Sequence, residues 1–429
     1  MLSKKDKILL FIFLVFVSVF ELYHVVIDTN PPMMLRVCYT AIYLCFAILS
    51  PALIPTYTAV NLIVERFSSS FGEFLPNTLL FHIVILTFGV LCLKWKRQNE
   101  RIYSYSKTPV VWFAILYVYG ILSLVLHVNV PHDFSFIING TFMFLFLYLL
   151  SISKDKYLRP LCVYSIIAMA IVCIIGLYNY DNLAGEYTTS LGEVNRLEWK
   201  DANYFSFFIG IMLMITLYLA RITVSKFNRR IYLCIAFILF VTMASLISRG
   251  AIVALFVTLL YYYRKDILSF RSLGYIILVA VAVWGLYTYG VLDGLIMRFL
   301  SEDVQTGSGR TDLWEVGLNT FFKKDPLTIL LGAGEGQALK MTYMKGQYWS
   351  PHNNYFSIMY NYGLVGLTFF CGWLLSLFYC SKTRESRGLV LFIAISSITI
   401  VPFTYVSTLW FVIPLIMIWD YRLYKIYSK

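Results

Sequence analysis

The sequence predicts an all-α, polytopic integral membrane protein, and two observations carry that reading. Of 429 residues, 59% are hydrophobic and only 14% are charged, against about 25% charged in soluble domains; the mean hydropathy is +0.73. Apolar runs also recur along the whole chain, and roughly 20 apolar residues suffice for a helix to cross the hydrocarbon core. They lie near 8–27, 34–56, 77–93, 110–127, 135–151, 160–178, 203–220, 231–247, 250–263, 273–290, 355–380, 389–402 and 404–420, which gives about 12 to 14 transmembrane helices. The runs are too long and continuous, and too free of alternation, for a spanning β-barrel.

The first run follows Lys4, Lys5 and Lys7 and continues into Glu21-Leu22-Tyr23-His24. It contains no small-x-small cleavage site, so it reads as an uncleaved first span. The second run is interrupted by Pro51 and Pro55. Short basic clusters separate the spans: Lys94 to Lys107, Lys154/Lys156/Arg159, Arg221 to Arg230, Arg264/Lys265/Arg271, Lys382/Arg384/Arg387 and Arg422/Lys425/Lys429. The positive-inside rule puts them all on the cytoplasmic side, together with both termini. Segments near 128–134, 179–202 and 291–352, and the turn Leu246–Arg249, then lie outside. This requires an even number of crossings over 8–93, where only three runs are visible, so the proline-interrupted run holds either two short segments or a partial one.

The chain therefore reads as one polytopic domain, 1–429, with a single large extracytoplasmic loop, 291–352, placed late. A transporter built from two matched halves would place a linker centrally; this chain is lopsided. The net charge of +12 is absorbed by the topology-setting clusters, so no nucleic acid is expected as a partner. All eight cysteines lie in or at the ends of apolar runs, which argues against a disulfide framework or a zinc site. No His/Asp/Glu cluster at metal-binding spacing is visible, and no metal or cofactor is expected. The 33 tyrosines, 34 phenylalanines and 9 tryptophans suit interfacial belts and sugar-stacking platforms equally.

Four places carry polar chemistry at the outer boundary. His352 closes the large loop, in Ser350-Pro351-His352-Asn353-Asn354 just before an apolar run. An imidazole with an ordinary pKa of about 6.5 suits proton transfer, although a lone interfacial histidine also serves as a simple hydrogen-bonding residue. Arg310 follows Gly307-Ser308-Gly309 and precedes Leu313-Trp314, the pattern of a turn feeding a surface helix. A helix N-terminus with an arginine fork favours phosphate oxygens; the plainer reading pairs Arg310 with Asp312 or Glu315. Arg249, in Ser248-Arg249-Gly250-Ala251 between two spans, either serves a site or snorkels to lipid phosphates. Arg196, Asp201 and Asn203 sit before the next span, where Asp201-Ala202-Asn203 also reads as a helix N-cap. Finally, Gly332-Ala333-Gly334-Glu335-Gly336 does not fit a dinucleotide fingerprint and suggests a turn that lets backbone approach a ligand or a helix.

Together these pieces resemble the O-antigen ligase and O-antigen polymerase family of bacterial envelope proteins, over roughly 195–370. The most specific element is His352-Asn353, a nine-residue gap, and Gly363-x-x-Gly366. Ser-Gly-Arg310, Ser248-Arg249-Gly250-Ala251 and Asp201-Ala202-Asn203 match more briefly, with Ala202 where the family often has proline and Val253 where leucine is often seen. The resemblance implies a GT-C-like membrane glycosyltransferase in the bacterial cytoplasmic membrane, with its active site facing outward. Its donor would be a polyprenyl-pyrophosphate-linked oligosaccharide and its acceptor a glycan or lipid-linked sugar, with a chain-length regulator as a further partner. His352, Arg310 and Arg249 would be catalytic, and Arg196, Asp201, Asn203, Asn353 and Trp314 would bind substrate. A repeat-unit polymerase, a ligase acting on lipid A-core or another terminal acceptor, and a non-enzymatic flippase or exporter remain open at this point.

Overall fold

The computed structural model describes residues 2–27, 32–68, 78–95, 106–127, 134–179, 184–189, 192–197, 201–264, 293–300, 310–344, 346–401, 403 and 409–427, with isolated positions between 281 and 290. The side chains of 21–27, 65–68, 78, 184–189, 192–197, 294–295, 298–299 and 419–427 lie outside that description.

The chain is an all-α bundle. In order it comprises α1 (Lys4–Ile27), α2 (Met33–Leu49), α3 (Ile54–Ser68), α4 (Thr78–Trp95), α5 (Lys107–Leu126), α6 (Ser135–Ile152) and α7 (Leu158–Tyr178). An antiparallel hairpin follows, β1 (Ala184–Thr189) with β2 (Gly192–Leu197). Then come α8 (Ala202–Ile222), α9 (Lys226–Ser245) and α10 (Arg249–Tyr263). The late polar segment contains α11 (Asp293–Leu300), α12 (Arg310–Phe322), α13 (Pro326–Leu331) and a small hairpin of β3 (Tyr343–Met344) and β4 (Gln347–Tyr348). It leads into α14 (Asn354–Cys380), α15 (Arg384–Ser396) and α16 (Leu409–Tyr427).

Among the described residues, six helices are long and apolar enough to cross a membrane, namely α5 to α9 and α14, with η-turn Asp155–Tyr157 extending α7. A seventh span arises if the bent pair α2–α3 counts as one, and three shorter apolar helices lie at Leu79–Trp95, Arg249–Tyr263 and Leu409–Ile418. The difference from the expected 12 to 14 has two sources. Several apolar runs form helices shorter than a straight span, and the run at 273–290 lies almost wholly outside the described residues.

The proline-interrupted run breaks where its prolines require. Pro51 cannot donate to the helix ladder; Ser50 takes φ −147° and ψ 79°, and the two legs meet at 110°. The break is tied to the start of α1, since Ser50 Oγ donates to Asp6 Oδ1 (3.0 Å) and Lys5 Nζ to Leu49 O (3.3 Å). Among the described residues, 8–93 thus hold four helical legs. Between the legs, Asn61 Nδ2 lies 3.3 Å from His82 Nε2 and Tyr43 Oη 3.4 Å from His82 Nδ1, while Tyr39 Oη donates to Asn61. These side chains are buried and satisfy one another, as polar groups in hydrocarbon must.

α8 is the central helix, with 83% of its apolar stretch buried. It packs against α7, α9, α10 and α15. On the other side of the bundle, α5 packs on α14 and α6 on α16. Their core is aromatic: Trp373 and Trp410 stack at 6.5 Å between centroids, with Phe113, Phe370 and Phe403 against them. At the bundle end where α8 and α10 finish, Arg221 Nη1 meets Glu385 Oε1 at 3.1 Å and Tyr262 Oη joins them. The polar site lies at the opposite end, where the same helices begin.

The late segment is folded, not an open loop. Phe321, Ala338, Met341, Met359 and Tyr360 form a small core of their own. The segment is fastened to α14 through backbone. Gly363 takes φ 68° and ψ −170°, which breaks α14 into two helices. The freed carbonyls are answered from the segment: Ala333 N–H donates to Tyr360 O and Gly334 N–H to Asn361 O, both at 3.0 Å. Gly332 (φ 89°) and Gly363 face one another so closely that a Cβ on Gly332 would overlap Asn361 O, and one on Gly363 would overlap Leu330 O. The Gly332-x-Gly334 turn therefore serves approach to another helix.

Candidate functional site

Each polar motif sits at the start of a helix, and the folding of each start has a local cause. Asp201 caps α8, its carboxylate accepting from Asn203 N–H (2.8 Å) and Tyr204 N–H (3.3 Å). Ser248 precedes α10, and Arg249 is that helix's first residue. Arg310 is the first residue of α12. Asn353 caps α14, accepting from Tyr355 N–H (2.9 Å) and Phe356 N–H (3.2 Å). The positive end of the helix dipole favours negative charge at each of these starts.

The tertiary fold brings these starts together. Ser248 Oγ donates to Asn203 Oδ1 at 3.0 Å, joining α10 to α8. Gly250 lets the first turn of α10 press against Thr399, whose side chain an added Cβ would meet. Asn354 N–H donates to Ser397 O (2.8 Å), and Val401 N–H to Tyr204 Oη (3.4 Å). The stretch after α15 is thereby held between α8, α10 and α14.

His352 sits in this cluster with a strained backbone. Its φ of 45° is a left-handed value uncommon outside glycine. Two neighbours hold it there. Trp314 on α12 donates its indole N–H to Pro351 O at 2.8 Å, and its ring meets Phe356 edge-on at 5.7 Å. Asn353 is buried and spends its side-chain oxygen on the α14 cap. The imidazole is half-buried. Burial and the Arg310 guanidinium hold its pKa below the ordinary histidine value, while the Asp201 carboxylate pulls the other way. The shift favours the neutral ring, the form able to accept a proton. His352 is close enough to Arg310 and to Asp201 to sense the charge of each.

Of the residues singled out in the sequence, His352, Arg310, Asp201, Asn203, Asn353 and Trp314 meet through these contacts, and Arg249 adjoins them through Ser248. Arg249 and Arg310 are both half-buried. The Arg196 backbone lies in β2 opposite Gly185, and its side chain is outside the described residues. Two of these side chains each have one polar atom already engaged. The Trp314 N–H is committed to Pro351 O, so it positions the His352 turn and does not offer that donor to substrate. The side-chain oxygen of Asn353 is likewise committed to the helix cap.

Sequence reading also passed over two residues. His127, at the end of α5, has Nδ1 2.8 Å from Ser123 O and Nε2 3.1 Å from Gly332 O. Tyr119 Oη reaches both Leu331 O and Tyr362 O at 3.1 Å. Both hold the Gly332–Gly363 junction. No local signal marks either one, because the junction carbonyls they meet lie more than 200 residues away.

Fold and site together define a multi-pass helical membrane protein whose polar site is built where several helices begin. Residues 234–371 match the family model for O-antigen ligase, so this stretch of the chain is similar to that family. The matched stretch contains Arg249, Arg310, Trp314, His352, Asn353, Gly363 and Gly366, and ends before α15. No curated protein matches the chain.

Proposed function

We propose that the protein is a repeat-unit polymerase that transfers a polyprenyl-pyrophosphate-linked glycan to an acceptor sugar hydroxyl at the outer face of the bacterial cytoplasmic membrane. The observation that carries this reading is the grouping of a half-buried His352 with Arg310 and Asp201 where helix starts gather. The acceptor oxygen attacks the anomeric carbon as the bond to pyrophosphate breaks, and polyprenyl pyrophosphate leaves. Direct displacement inverts the anomeric centre. His352 takes the acceptor proton or orients its hydroxyl, which is typically worth about 10²–10⁴-fold.

Arg249, Arg310 and the helix starts carry the charge that grows on the pyrophosphate, the largest single term in many such reactions. Arg196 supplies a further cation, and Asp201 and Asn203 frame the approach from α8. In this assignment the arginines do the work for which other transferases use a metal.

His352→Ala should abolish polymer while the protein inserts normally; wild-type polymer in that variant removes the proposed role. Reconstituted protein given lipid-linked oligosaccharide should release polyprenyl pyrophosphate, whereas a flippase would only move the lipid. The description of the matching family favours a second reading, a ligase that attaches glycan to a terminal acceptor. A deletion strain separates the two: single repeat units on the acceptor indicate a polymerase, and accumulated lipid-linked polymer indicates a ligase.

A further inference from the structure

The small hairpin just before His352 exposes two aromatic rings that the transfer chemistry leaves unused. Tyr343 pairs with Tyr348 across β3 and β4, their ring centroids 4.9 Å apart and tilted by 58°. They are 55% and 59% exposed. Apolar ring surface left in water costs free energy that a ligand stacked on the rings would recover.

The rings stand on a fixed base. Trp349 N–H donates to Thr342 O and its indole N–H to Met344 O, both at 3.0 Å, and Thr342 Oγ1 donates to Trp349 O. Below them, Met341 and Ala338 enter the small core with Phe321 and Tyr360. Gln347 lies between the two rings in sequence and is exposed, Leu339 and Lys340 are exposed just before the hairpin, and Gly346 forms the turn. A hairpin that dips into lipid would carry aliphatic side chains at its tip; Met344 is only partly exposed. Tyr348 precedes His352 by four residues, which places the two at most about 14 Å apart along the chain.

We propose that Tyr343 and Tyr348 form a glycan subsite, stacking against pyranose rings of the substrate a short oligosaccharide's length from His352. The electron-rich ring faces suit the polarised C–H edges of sugars, tyrosine loses little side-chain entropy on binding, and Gln347 and Lys340 are placed to hydrogen-bond hydroxyls. The proposal rests on the glycan-transfer reading of the His352 site.

The full-length protein in nanodiscs tests it, titrated with oligosaccharide released by mild acid from the strain's own surface polysaccharide and read by tryptophan fluorescence. The double variant Tyr343→Ala/Tyr348→Ala should bind about tenfold more weakly, as for loss of paired aromatic contacts. Tyr343→Phe/Tyr348→Phe should stay within about twofold of wild type, because it keeps both faces. In turnover, the alanine variant should raise KM for lipid-linked substrate and leave kcat within about twofold, the pattern of lost uniform binding. Equal binding by wild type and the alanine variant overturns the subsite, as does no binding by either. A lower melting temperature in nanodiscs with unchanged oligosaccharide binding assigns the rings to the lipid interface and also overturns it. Wild-type binding without transfer would remove the transferase reading and leave the subsite standing.

Discussion

Gly363→Ala tests how the polar segment is held to the bundle. At φ 68° and ψ −170° the backbone occupies a region that is essentially reserved for glycine, and any other residue there costs about 1–3 kcal/mol. The new Cβ would also overlap the carbonyl of Leu330, which is backbone and cannot rotate away. If the segment shifts to relieve the clash, it loses the bonds from Ala333 N–H to Tyr360 O and from Gly334 N–H to Asn361 O, at about 0.5–1.5 kcal/mol each. The combined penalty for the docked state is about 2–6 kcal/mol. The span helices have cores of their own, so the variant should insert and keep its helical content while the segment around Lys340 opens to trypsin and polymer formation falls. Gly388→Ala is the control, since its added methyl meets Met214 Cε at an ordinary 3.4 Å. Wild-type trypsin protection and melting temperature in Gly363→Ala would refute this account of the junction.

The lowered pKa of His352 predicts transfer that is flat above pH 6.5 and falls about tenfold per unit on the acid side of the histidine's own pKa. Arg310 depresses that pKa and Asp201 raises it, so Arg310→Gln should move the acid limb to higher pH and Asp201→Asn to lower pH; pH–rate profiles of the three proteins check both signs. Trp314→Phe keeps the ring against Phe356 but removes the bond to Pro351 O, worth about 1 kcal/mol. Transfer should slow by about fivefold, with KM unchanged, in steady-state kinetics. Glu385→Gln should shift stability by no more than about 0.5 kcal/mol, because its partner Arg221 is 48% exposed and the pair is screened by solvent; thermal unfolding in detergent measures this.

The helical class was legible because burial in lipid leaves an unbroken hydropathy record, and the break at Ser50-Pro51 because proline acts locally. The spacing from His352 to Gly363 was equally visible, but its structural meaning was not. Gly363 works with Gly332, thirty-one residues upstream, through main-chain atoms that leave no side-chain trace. Trp314 was expected to bind substrate on the strength of the resemblance alone; only the carbonyl of Pro351 shows where its N–H goes. The β1–β2 hairpin went unread because a few alternating residues such as Gly192-Glu193-Val194-Asn195 carry too little periodicity to stand out. His82 shows the converse: a lone histidine in an apolar run is answered by Asn61 and Tyr43 as part of the packing.

Because the seat at Gly332 and Gly363 is made of main chain, it is indifferent to most of the side chains carried above it. The tip from Lys340 to Trp349 can therefore change its surface without moving His352 or the helix starts around it. In an engineered setting, that tip is an exchangeable part. Grafting it between two proteins with the same seat should carry over preferences in glycan binding and leave the bond-forming apparatus where it stands.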